Sequence, residues 1–508
     1  MFIRPLTSIP SLVFTVLIFW AESIVRLIVT FTPKFIIVSA DSAVRFVFPW
    51  LSDSVKSPRV SPLEFASTFE EMINYWNYDY EEHFVRTHDH YLLCLHRIKQ
   101  QADEQQQQRV TQRRMNSNAS DEILKKGATI INQMHRFKKN TNSTYQGRPV
   151  VLLYHGLTLT SEVWISNIKE NRNLALYLTE RGYDVWMGNA RGNKYSQSHL
   201  SRNPKNADFW DFSINEFAMF DMPDTIDYIL RKTGAPDLTY IGFSQGTAQA
   251  FGCLSINPDM NDKVNLFIAM APAASPKGFS HPLLDGFVKA APSIIYCLLG
   301  RKIFLKSVIF WQRIISPPIF VKLIDGAVHF LFGWHCNNMS RDQKLVSYQH
   351  LFSMTSVKSI VHWFQIISSG RFQMYDETPS MLPWSTVNTV IDHLPPKFPT
   401  RQITTPIAIF YGSGDTLVDF DILKSNLPPL SYIKSIDGWE HMDFLWAHGL
   451  EKKVYPDILR LLEHFNSPPH VFHDIEEKVP LKIKYINIER AATVIPNNMK
   501  VSTIAVSE

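Results

Sequence analysis

The chain has 508 residues, of which 45% are hydrophobic, 13% aromatic and 19% charged, and its formal net charge is +4. A chain of this kind can bury a large core and is no disordered scaffold, and so small a basic excess argues against a nucleic-acid partner. Its four cysteines, Cys94, Cys253, Cys297 and Cys336, are dispersed without a CxxC pair, which predicts free thiols in a reducing compartment rather than a disulfide framework.

Residues 8–32 are apolar with few interruptions, Glu22 and Arg26 standing i,i+4 apart so that they can pair on one helix face. Pro33 breaks this segment, and a second apolar stretch runs from Phe35 to Leu51. A single membrane span, a hairpin dipping into one leaflet around Pro33, a cleaved signal peptide behind Arg4 and a buried core helix all fit such a run. The expectation carried forward is an apolar membrane anchor over residues 1–51. Three N-x-S/T triplets, at Asn118, Asn142 and Asn338, matter only if the chain enters the secretory lumen.

The soluble body begins near Ser61. His90–Ile98 alternates in part and predicts a strand. Residues 99–148, with Gln105–Gln108 and Arg113-Arg114, read as a polar insertion with one short helix near Glu122–Lys138. From Val150 onward strands and helices alternate. Strands are predicted at Val150–Tyr154, Tyr183–Trp186, Leu238–Ile241 and Val264–Ala271, with helices at Leu174–Arg181 and Phe220–Lys232. Alternation of this kind predicts a mainly parallel sheet with helices on both faces. It stops after Pro272 and resumes at Ile407–Tyr411. The block between, about 276–400, is helical and rich in aromatics such as Phe304, Phe320, Phe330 and Trp334, and predicts a cap or lid inserted into an α/β domain of 61–465. Residues 466–508 read as a loose tail.

The central motif is Gly242-Phe243-Ser244-Gln245-Gly246, between a predicted strand and a predicted helix. A nucleophile elbow needs that context and needs glycines where side chains would strike the neighbouring strand and helix. Ser244 is the candidate nucleophile. A serine needs a base and an orienting acid, which in this architecture follow in the order Ser, Asp, His. Asp415 lies just past the strand Ile407–Tyr411, in a turn with Gly412 and Gly414, and His441 precedes an apparent terminal helix. Rival acids are Asp419, Asp421, Asp437 and Asp443, and rival bases are His448 and His362. Two backbone N–H groups should form the oxyanion hole: that of Gln245, after the nucleophile, and that of Leu157, in the His155-Gly156-Leu157 loop. No metal constellation or phosphate loop stands out, so neither metal nor cofactor is expected.

With these residues placed, the chain resembles the acid lipase family of α/β-hydrolases over about Ser61 to Phe465. The resemblance runs through Tyr80–His83, Leu95–Ile98, His155–Leu157, Asp184–Asn193, Phe209–Ser213 and Gly242–Gly246. Within the family, Gly300–Ile303, Ser356–Gln365 and the apolar N-terminus are similar to fungal steryl ester hydrolases. The resemblance implies an α/β-hydrolase fold, a serine mechanism and an apolar ester substrate, a steryl ester with a triacylglycerol as the alternative. It also implies residence on a membrane or lipid droplet, and with the dispersed cysteines and a cytosolic lipid store the expectation is a lipid droplet or endoplasmic reticulum membrane with the catalytic domain cytosolic. A catalytically silent lipid-binding or tethering protein on the same fold is the reading from another class. The polar insertion departs from the family, whose members join these strands more briefly.

Overall fold

The structure is a computed structural model. It describes residues 61–99, 145, 147–274, 276–278, 288, 292–304, 306, 308–309, 312, 315–377 and 394–466. The anchor expected over 1–51, nearly all of the 99–148 insertion and the 467–508 tail lie outside the described residues. Among the described residues no helix is long and apolar enough to cross a membrane.

Among the described residues eleven strands are present: β1 (Tyr80–Arg86), β2 (Tyr91–Ile98), β3 (Val150–Tyr154), β4 (Asp184–Gly188), β5 (Ser198–His199), β6 (Leu238–Phe243), β7 (Val264–Met270), β8 (Ile303–Phe304), β9 (Thr355–Ser356), β10 (Ile407–Gly412) and β11 (Tyr432–Ile436). Nine form one sheet, in the order β1-β2-β4-β3-β6-β7-β10-β11 with β5 beside β2, while β8 and β9 pair separately. Pairing is parallel from β4 through β11, and antiparallel where β2 meets β1, β4 and β5.

The central strands β3, β4 and β6 are buried throughout, as continuous apolar runs such as Val150–Tyr154 require when helices cover both faces. Their side chains alternate between two cores. Val151, Leu153, Ile241, Ile268 and Phe410 enter one. Val150, Leu152, Tyr154, Tyr240, Phe267 and Ile409 enter the other. The helices used below are α1 (Phe69–Tyr75), α2 (Leu174–Thr179), α3 (Met222–Thr233), α4 (Gln245–Ile256), α5 (Pro317–Phe332), α6 (Val357–Ser369) and α7 (Tyr455–Asn466). α2 and α7 line the first core, α3 and α4 the second.

Two differences from the sequence reading have physical reasons. β1 escaped notice because it is an edge strand whose exposed positions carry Glu82, Phe84 and Arg86, leaving no apolar period; it pairs with β2 from Tyr80↔Ile98 to Arg86↔Leu92. The helix expected from Phe220 opens instead with a π-turn at Phe217–Asp221. That wider turn sends Asp221 inward, where the buried Arg191 guanidinium bonds it and also Asp89.

The segment between β7 and β10 is the helical insertion. α5 starts behind Ser316 with prolines in its first turn, where a missing N–H costs nothing, and ends at Gly333 with φ 76°. It buries Phe320, Val321 and Ile324 but leaves Leu323 52% and Phe330 47% exposed. The aromatic block is thus part packing and part exposed surface.

Candidate active site

β6 delivers Ser244 at its C-terminal end, and α4 begins at once. Ser244 has φ 53° and ψ −120°, a region that non-glycine residues occupy only where the surroundings enforce it. The enforcement is visible. A methyl group on Gly246 would lie 2.5 Å from the Tyr154 carbonyl oxygen, and one on Gly242 would lie 2.8 Å from the Gly246 carbonyl. The elbow is therefore packed backbone against backbone, and the Ser244 N–H is held by the Met270 carbonyl at 3.1 Å.

Two loops converge on the Ser244 hydroxyl. Asp415 follows β10, and its Oδ1 accepts from the Leu417 N–H at 3.1 Å. Its Oδ2 stands 2.7 Å from His441 Nδ1, and His441 Nε2 stands 2.8 Å from Ser244 Oγ. The carboxylate can only accept, so Nδ1 carries the proton and Nε2 accepts from the serine. The chain does turn at Ser413-Gly414 as expected, although neither Gly412 nor Gly414 has positive φ. Gly412 is required for a different reason: a methyl group there would lie 2.0 Å from the Trp439 carbonyl oxygen. The His441 loop rests directly on the end of β10.

The rival residues are engaged elsewhere. Asp419 caps a short helix by accepting from the Ile422 N–H, Asp421 is exposed in that helix, and Asp437 accepts from Ser413 Oγ. Buried Asp443, pushed up to about 6 by desolvation, accepts from Asn338 Nδ2 and the Glu440 N–H. His448 is exposed. His362 is buried between the Ile214 N–H and the Gln373 carbonyl.

Gln245 opens α4, so its N–H has no intrahelical carbonyl to bond, and the Leu157 N–H likewise donates to no backbone carbonyl among the described residues. The loop carrying Leu157 is fixed by buried His155, whose Nδ1–H donates to the Gly156 carbonyl while Nε2 accepts from the Ala190 N–H and Asn193 Nδ2. Burial pushes this imidazole down to about 4, so it stays a neutral strut. Gly156 lies against the nucleophile itself, its missing methyl group 3.0 Å from Ser244 Cβ.

The helical insertion is clasped to the His441 loop. The Glu440 carboxylate accepts from the His335 and Cys336 N–H groups at 2.8 and 2.7 Å. Asn338 Nδ2 donates to the Gly438 carbonyl and to Asp443, and the His448 N–H donates to the Asn338 carbonyl. Trp334 stacks on His441 and donates to Thr416 Oγ1, which in turn donates to the Phe332 carbonyl. Local pattern gave no sign of this clasp, since it joins segments far apart in the chain.

A family model for the alpha/beta hydrolase fold matches residues 149–293, and one described as a partial alpha/beta-hydrolase lipase region matches residues 69–116. A probable lipase of Schizosaccharomyces pombe is 44% identical over 394 residues, covering 78% of this chain and 79% of that protein. Gastric triacylglycerol lipase of Homo sapiens is 33% identical over 410 residues, covering 78% of this chain and 92% of that protein. The chain belongs to the acid lipase family of α/β-hydrolases.

In this acid lipase relative, the apolar residues beside the site form a compact group. Leu157 packs with Ile214, Ala248, Ala273, Trp363 and Ile366, and Trp363 Nε1–H donates to the Gln245 side chain at 2.8 Å. Away from the site, the ligating atoms of Glu82, Cys94 and His96 lie within 4.8 Å of one another, a cluster the sequence reading did not single out. Both ring nitrogens of His96 are already engaged: Ser161 Oγ–H donates to Nδ1, and Nε2–H donates to Glu82.

Proposed function

We propose that this chain is a serine lipase that hydrolyses steryl esters to sterol and fatty acid through an acyl-enzyme on Ser244. One observation carries the serine mechanism: the unbroken hydrogen-bond chain from Asp415 through His441 to the hydroxyl of a strained elbow serine. In the reaction His441 Nε2 takes the Ser244 proton as Oγ bonds the ester carbonyl carbon. The electrons of the carbonyl π bond collect on its oxygen, facing the Leu157 and Gln245 N–H groups. Collapse expels the alcohol, which leaves with the proton from His441. A water molecule then repeats the sequence on the acyl-enzyme and regenerates Ser244. Asp415 holds the imidazole in the required tautomer and offsets the charge it gains.

The steryl ester assignment rests on the resemblance of Ser356–Gln365 and Gly300–Ile303 to fungal steryl ester hydrolases, and on an insertion rich in apolar side chains. A triacylglycerol substrate is the second reading, favoured by the similarity to a gastric triacylglycerol lipase. We place the protein on a lipid droplet or endoplasmic reticulum membrane through residues 1–51, with its catalytic body cytosolic. Full-length protein assayed on emulsified cholesteryl oleate and on triolein decides between the substrates; faster turnover of triolein rejects the steryl ester reading. In the same assay Ser244→Ala and His441→Ala should each lower kcat by about 10⁴-fold or more, and Asp415→Asn somewhat less. Turnover retained in Ser244→Ala would overturn the serine mechanism, whereas a wild type with neither turnover nor fluorophosphonate labelling would leave a lipid-binding protein on this fold.

A further inference from the structure

Hydrolysis at Ser244 needs an imidazole and a carboxylate, yet His441 also meets two aromatic rings. Phe243 meets it at a tilt of 49° with centroids 5.1 Å apart. Trp334 lies parallel to it, planes 9° and centroids 5.4 Å apart, in the offset arrangement that aromatic pairs prefer. The indole cannot slide away. Phe332 stacks on it with centroids 4.4 Å apart, its N–H is held by Thr416 Oγ1 at 3.1 Å, and only 3% of the residue is exposed. Thr416 adjoins Asp415, so this one side chain from the insertion touches the base and anchors beside the acid.

We propose that Trp334 is a positioning residue for the catalytic base, holding the His441 ring in plane with its proton path and stabilising the imidazolium formed in each transition state. The inference rests on the serine mechanism above. An aromatic face attracts a cation placed within about 6 Å of its centroid, and tryptophan does so most strongly. The neutral imidazole gains far less from that face than the imidazolium does, so the interaction is stronger in the transition state than in the resting enzyme, and it raises kcat rather than lowering KM. The other charged or titratable groups around His441 are Asp415 on Nδ1, Glu440, Asp443 and Asp437 on its own loop, and His335 and Cys336 on the insertion. Substitution of Trp334 leaves all of them in place.

The test uses full-length protein and a short soluble ester, with active sites counted by fluorophosphonate labelling so that unfolded molecules do not enter kcat. Trp334→Leu should lower kcat roughly 3- to 30-fold with KM within about twofold. It should also move the acid limb of the kcat/KM profile to lower pH, by a few tenths to about one unit, because the protonated ring loses a favourable partner. Trp334→Phe restores an aromatic face and should recover most of the rate, with a smaller shift of the limb in the same direction. An unmoved acid limb, a loss confined to KM, or no recovery with phenylalanine overturns the proposal. If Trp334→Leu yields no labelled protein, the acid limb of Trp334→Phe decides alone. Ser244→Ala, run in parallel, separates the two levels: turnover surviving there sinks the serine mechanism, whereas its loss beside an unchanged Trp334→Leu sinks only the role of Trp334.

Discussion

The backbone of Ser244 makes a prediction that runs against the usual ranking of alanine above glycine inside helices and strands. At φ 53° and ψ −120° a residue with a Cβ carries strain of about 1–3 kcal/mol, which glycine escapes. Glycine in turn brings an unfolded-state entropy penalty of about 0.5–1 kcal/mol relative to alanine. Ser244→Ala and Ser244→Gly both remove the hydroxyl and its bond to His441, so their difference isolates the backbone. Ser244→Gly should therefore be the more stable of the two by about 0.5–2 kcal/mol, although at most other positions glycine is the less stable. Equilibrium urea unfolding of the two full-length variants in the same mild detergent measures the gap as a change in midpoint at constant slope. Both should be inactive, so activity is no confounder. A Ser244→Ala variant as stable as Ser244→Gly, or more so, would refute the claim that the elbow is strained.

Other outcomes follow from the site and its supports. Glu162 is buried against Lys194 Nζ at 2.6 Å and His350 Nδ1 at 3.1 Å; burial alone would raise its carboxyl, but the His350 hydrogen bond and the Lys194 charge hold it down to about 2. The folded value lies below the unfolded one, so its contribution, about 3 kcal/mol, is complete above about pH 4.5 and is lost as pH falls through about 2. Glu162→Gln should flatten the fall in urea midpoint across that window, and parallel acid limbs in variant and wild type would contradict the assignment. Gly412→Ala places a methyl group 2.0 Å from the Trp439 carbonyl oxygen. It should cost about 100-fold or more in kcat by displacing His441, with far-ultraviolet circular dichroism unchanged; activity within twofold of wild type would show that the loop is not seated there. Replacing exposed Leu323 and Phe330 together by serine should depress turnover of an emulsified long-chain ester while sparing a short soluble one. Equal losses on both would mark α5 as purely structural.

The hydrogen-bonded grouping of Asp415, His441 and Ser244 was legible because each member sits beside a local cue. Ser244 has its flanking glycines, Asp415 follows an apolar run, and His441 comes after both in chain order. The parallel sheet was legible for a similar reason, since strands such as Val150–Tyr154 are buried on both faces and read as unbroken apolar runs. β1 was not, because an edge strand meets water on several positions and loses its period. The turn at Gly412–Gly414 was legible, but the close approach of Trp439 to Gly412 was not, since it arises only once two distant segments pack. The place of Trp334 could not be read at all, because its partner lies in a different loop and the surrounding aromatics carry no period distinguishing packing from exposure. The membrane expectation for residues 1–51 falls outside the described residues.

The clasp between the insertion and the His441 loop bears on how such proteins can be recombined. Glu440 and Asn338 bind across the junction, so each side supplies the hydrogen-bond partners that the other leaves open. A chimera receiving a relative's insertion between β7 and β10 would orphan the Glu440 carboxylate and the N–H groups of residues 335 and 336 unless the donor matched them. The segment Asp437–Asp443 should therefore accompany any transplanted insertion, as one exchange unit in two pieces of sequence. Substrate preference engineered by swapping the insertion alone would arrive together with a disturbed base, and the two effects could be told apart only by moving both pieces at once.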